Sequence, residues 1–86
     1  MLKSLTLAAT LTALPLAAFA MPTVGDTVGT NPTDATAALA EAGCMVDEFE
    51  AEDGKIEAKC KDADGKEWEV YIDPASGKVV KIEEDD

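Results

Sequence analysis

Apolar and polar positions follow one period up to about residue 43 and another after it. Ala35, Ala38, Leu39 and Ala42 recur at i, i+3, i+4 and i+7 and lay one narrow apolar stripe along a helix. Asn31 is a good N-cap, and Pro32 fits the first helical position, where its missing N–H is not needed. Asp34 favours the positive end of the dipole, and Gly43 stands where a helix commonly ends. From residue 45 onward the period falls to two. Residues 45–50, 55–61, 66–72 and 78–82 read as strands, separated by Asp53-Gly54, Ala63-Asp64-Gly65 and Asp73-Pro74-Ala75-Ser76-Gly77.

The second and third strands alternate most cleanly. A three-residue loop with Gly65 in the left-handed position pairs Asp62 with Lys66. That register sets Cys60 opposite Trp68, Ala58 opposite Val70 and Ile56 opposite Ile72 on one face. On the other face it sets Lys61 opposite Glu67 and Lys59 opposite Glu69. The first strand is irregular. Val46 and Phe49 have opposite parity, which predicts a bulge or a short strand and leaves open whether Cys44 falls beside Cys60 or one position away. The expected fold class is α+β: one N-terminal helix packed on a small antiparallel meander of three to four strands. Trp68, Ile56, Val70 and Ile72 would face Leu39 and the alanines, with Trp68 a core anchor.

Before the helix the pattern differs. Lys3, then an uncharged apolar run from Leu5 to Phe19, then Ala18-Phe19-Ala20, form a secretory signal peptide over residues 1–20 with cleavage between Ala20 and Met21. The run is short of the roughly 20 residues that span a bilayer, and Pro15 interrupts it. Residues 21–30 are rich in Gly, Pro and Thr and read as a flexible leader, residues 31–82 as the domain, and residues 83–86 as an acidic tail. Export makes a disulfide between Cys44 and Cys60 the expected state of the two cysteines. Two thiols without a histidine are too few for a closed zinc site, and their spacing is not that of a C-x-x-C redox pair.

Charge narrows the chemistry. The chain has 18 acidic residues against seven lysines, with no arginine and no histidine, so its formal charge of −11 becomes −12 once Lys3 is removed. The shortage of cations excludes nucleic-acid binding and disfavours adhesion to an anionic membrane. Without histidine the usual general base and imidazole ligand are missing, and after cleavage Ser76 is the only serine. No enzyme activity, catalytic residue, cofactor or metal site is expected. Asp62-Ala63-Asp64-Gly65 has the look of a calcium-loop fragment. Cys60 and Tyr71, however, stand where such a loop needs oxygen ligands, so the stretch reads as a hairpin turn.

Residues 64–83, DGKEWEVYIDPASGKVVKIE, resemble the strand–turn–strand ending of the PepSY-type domains found in peptidase propeptides and short exported bacterial proteins. The similarity extends over about residues 31–82. It implies a non-catalytic module of the periplasm or secreted fraction that binds a protein partner and inhibits or regulates a peptidase. An acidic cation- or small-ligand-binding protein is the alternative. Cys44 departs from the family pattern, since relatives often carry an aromatic residue there. On the residues alone, the first or the fourth strand is the edge at which an extended partner segment would pair.

Overall fold

The computed structural model describes residues 21–85. The expected signal peptide, including Ala20 of its cleavage site, lies outside the described residues. Five elements follow in order: α1 (Pro32–Glu41), β1 (Met45–Glu52), β2 (Lys55–Lys61), β3 (Glu67–Ile72) and β4 (Val79–Glu84). The strands form one antiparallel meander in the order β1-β2-β3-β4.

Both ends of α1 are capped by the residues that predict them. Asn31 Oδ1 accepts the Asp34 N–H at 2.9 Å, and Asn31 Nδ2 donates to Asp34 Oδ2 at 2.9 Å, a reciprocal lock on the first turn. At the far end Gly43 has φ +100°, its N–H donates to the Ala40 carbonyl, and the Cys44 N–H reaches back to the Leu39 carbonyl at 2.8 Å. This is a Schellman termination. It turns the chain sharply, so that Cys44 enters under the sheet fully buried. There Cys44 and Cys60 are joined by a disulfide across a Cα separation of 5.3 Å.

The β2–β3 register is the one the alternation predicts: Ile56 faces Ile72, Ala58 faces Val70, and Cys60 faces Trp68. In β1 the pairing steps from Val46 opposite Cys60 to Glu48 opposite Lys59, so Asp47 is the bulged residue. The bulge restores Val46 and Phe49 to one face. Cys44 therefore has no place directly opposite Cys60, which pairs with Val46; it meets Cys60 from the turn preceding the strand. Asp53 (φ 51°) and Gly54 (φ 78°) form the two-residue β1–β2 turn, with positive φ at both positions.

Leu39, Ala35, Cys44, Ala58, Cys60, Val70, Ile72 and Val79 make the core, joined by Val28. Trp68 is only half-buried, because its indole N–H reaches outward to Asp62 Oδ2 at 2.9 Å.

Two boundaries differ from the sequence expectation. Residues 21–30 are not a free spacer in the structure. Pro22 and Val28 are buried and Met21 packs on the core. The Gly25 N–H donates to the Val79 carbonyl, the Val79 N–H to the Asp26 carbonyl, and the Val28 N–H to the Gly77 carbonyl. Thr27 bridges Lys78 as an added piece of antiparallel ladder. These Gly- and Thr-rich residues carry no period, but they supply exposed backbone to the start of β4 and one valine to the core. The acidic stretch from Glu83 does not begin as a tail either: Glu83 and Glu84 belong to β4, opposite Glu69 and Trp68.

Candidate functional site

The solvent face of the sheet carries most of the charge. Glu48, Glu50 and Glu52 of β1 alternate along one edge, next to Lys59, Glu57 and Lys55 of β2. Glu50 and Glu57 stand directly opposite each other, a like-charge pair that destabilises a ladder when both are ionised. Glu57 is the exception on this face: it is 3% exposed, buried against its register partner Tyr71. The Tyr71 hydroxyl donates to Glu69 Oε1 at 2.9 Å and lies 3.4 Å from Glu57 Oε2.

Burial pushes the Glu57 carboxyl up to about 7, and hydrogen bonding with Glu52 and Glu69 and their charges push the same way. Tyr71 is raised by its hydrogen bond to Glu69, then by burial and the charge of Glu57. Lys59 is held charged by Glu50 and next by Glu48. Both lie on β1, where Glu48 is its register partner, and they outweigh Glu69, its partner on β3. Glu48 itself is raised, first by a hydrogen bond with Glu50 and against the pull of Lys59. Negative charge along β1 thus exceeds what the neighbouring lysines neutralise. Lys61 is the better-served cation, 3.3 Å from Asp47 and 3.7 Å from Glu67.

Oxygens of Glu50, Glu52 and Glu57 all lie within 4.8 Å of one another. Of the three, Glu57 is the one whose carboxyl is raised toward neutral pH, with the Tyr71 hydroxyl beside it. The Asp62 carboxylate, the residue suggestive of a calcium loop, is engaged internally. Its Oδ1 accepts the Asp64 and Lys66 N–H groups at 2.9 Å each, and its Oδ2 accepts the Trp68 indole. The Trp68 donor, followed by the Lys66 backbone, holds Asp62 below the usual carboxylate range.

The two candidate edges are not equivalent. The start of β4 is occupied by residues 25–28, whereas no backbone hydrogen bond among the described residues reaches the outer side of β1. On the inner face beside Phe49 a cavity of about 80 Å³ opens between α1 and the sheet, walled by Pro32, Ala35, Ile56, Ile72 and Pro74. Sequence reasoning missed both the buried Glu57 and the occupied start of β4. Parity puts Glu57 on the solvent face, where it is nevertheless buried, with the Tyr71 hydroxyl and the Glu50 and Glu52 carboxylates close to its own.

A helix capped at both ends, a four-stranded meander and a glycine-turn ending define a small α+β module. The family model described as peptidase propeptide and YPEB domain matches residues 4–83, and the chain belongs to this PepSY family. No curated protein and no solved structure matches it. Membership makes the chain a peptidase-propeptide-like module, a class that is generally non-catalytic and usually extracellular or periplasmic. No helix among the described residues is long and apolar enough to cross a membrane.

Proposed function

We propose that this protein is an exported bacterial PepSY module, processed between Ala20 and Met21, that binds a peptidase in the periplasm and restrains it. The family match over nearly the whole chain carries this reading. The outer side of β1, which no backbone hydrogen bond among the described residues reaches, supports it, because extended segments pair readily with such edges. The test is a titration of the purified protein against the envelope and secreted peptidase activities of its own cell. Saturable, stoichiometric inhibition is expected; inhibition of no peptidase would sink the inhibitor reading. Intact mass of the exported protein is expected to begin at Met21, and a mass that retains residues 1–20 would refute the processing.

A second reading, weak cation binding, is favoured by the grouping of Glu50, Glu52 and Glu57. It weighs less, because a carboxyl that stays protonated toward neutral pH is a poor ligand for a hard cation. It predicts a calcium-dependent rise in Tm at constant ionic strength, and a flat response would dispose of it.

A further inference from the structure

We propose that the outer side of β1 receives, as a fifth strand, a partner segment of alternating basic and apolar residues, with the basic side chains beside Glu48, Glu50 and Glu52. This rests on reading the protein as an interaction module and says which edge it uses and what sequence pattern that edge selects.

The pattern follows from the pleat. In β1 the solvent-face positions after the bulge are Glu48, Glu50 and Glu52, and the inner-face positions are Phe49 and Ala51. A strand added in register has the same alternation. Its residues on the solvent face come to lie beside three carboxylates, and those on the inner face come to lie beside Ala51 and Phe49, which lines the apolar cavity. Lysine or arginine on the first face and a small aliphatic on the second satisfy both. Neither an acidic nor a uniformly basic segment does.

Charge also decides between possible occupants. A second copy pairing through its own β1 would bring Glu48, Glu50 and Glu52 of each chain together, a repulsion of the kind that protects natural sheet edges from self-association. The same row is complementary to a cationic strand. Lys59 is shared between Glu48 and Glu50, so β1 retains negative charge for an incoming cation to neutralise. β4 offers a poorer edge: residues 25–28 already bond along its start.

The experiment uses the isotopically labelled protein and a capped peptide about as long as β1, alternating lysine and valine. Saturable binding is expected, with amide shifts concentrated at residues 45–52. A peptide of the same composition with its lysines and valines in two blocks should bind about tenfold more weakly, as should one with alternate backbone nitrogens methylated. Equal binding of the block peptide, shifts centred on β4, or no saturation would overturn the proposal. Glu48→Lys and Glu50→Lys, both exposed and outside the core, should each weaken the alternating peptide.

The two readings fail separately. If a peptidase is inhibited equally by the wild type and both lysine variants, β1 is not the contact, although inhibition stands. If the alternating peptide binds at β1 and no peptidase is inhibited, the edge stands and the peptidase reading falls.

Discussion

Glu57 is the residue at which the sheet is least at ease. It is buried on the charged face, opposite Glu50 and close to Glu52 and Glu69, with the Tyr71 hydroxyl 3.4 Å from its carboxyl. Its carboxyl rises from 4.5 to about 7, so between those values the folded chain binds a proton that the unfolded chain has released. Stability from this group is therefore greatest below about 4.5 and falls as pH rises through about 7. Glutamine keeps the shape and removes the ionisation. Glu57→Gln should raise the Tm at about pH 8 by several degrees, on the order of 5 °C, and leave it nearly unchanged at about pH 5. An equal shift at both values in thermal melts would show that packing, not charge, is responsible. Asp62 acts in the opposite direction: its lowered pKa gives stability at neutral pH that is lost as acid protonates it, together with the bonds that order the β2–β3 loop.

Among the elements, the β2–β3 hairpin and α1 were legible because pattern, turn and cap each pointed to the same register. The irregularity of β1 was legible from the opposite parity of Val46 and Phe49, but that parity left a short strand as open as a bulge, and the position at Asp47 was not legible. The segment before α1 was not legible, since its place depends on backbone contacts that leave no mark on the side-chain pattern. Gly77 shows why. Its φ is +76°, and an added Cβ would stand 2.8 Å from the Gly29 carbonyl carbon. Gly77→Ala should lower stability by about 2 kcal/mol and selectively release the amide protons of Gly25 and Val28 to fast hydrogen exchange. Unchanged protection at those amides would show that the segment is held by other means. The Cys44–Cys60 bond works at the same scale, tying the turn after α1 to the middle of the sheet over a separation of 16 residues. Opening a loop of this size costs about 3 kcal/mol in the chain-entropy model. For so small a domain, the Cys44→Ala, Cys60→Ala double variant should melt about 10 °C lower or more. A melt indistinguishable from wild type would mean that the bond adds no stability.

For the molecule as a whole, the balance of charge outweighs its pairing. Surface ion pairs such as Lys61 with Asp47 and Glu67, Lys66 with Glu84, and Lys81 with Glu83 are largely exposed, and such pairs contribute little. Against them stands a formal charge of −11 on 86 residues, whose mutual repulsion opposes the compact state. Salt should therefore stabilise this protein, whereas it would weaken one held together by surface pairs. The Debye length falls from about 30 Å at 0.01 M to about 10 Å at 0.1 M, so most of the gain should appear by the latter concentration and then level off. Sodium and choline chlorides separate screening from binding. Equal rises in Tm at equal ionic strength are expected, because choline is too large to enter among Glu50, Glu52 and Glu57. A rise with sodium alone would mean that those carboxylates hold a cation and that screening is not the dominant effect. A lysine-valine strand should raise the Tm beyond either salt at the same ionic strength, because it brings hydrogen bonds and apolar contact to β1 along with its charge. Should the peptide and the salts act alike, charge neutralisation alone would account for the effect.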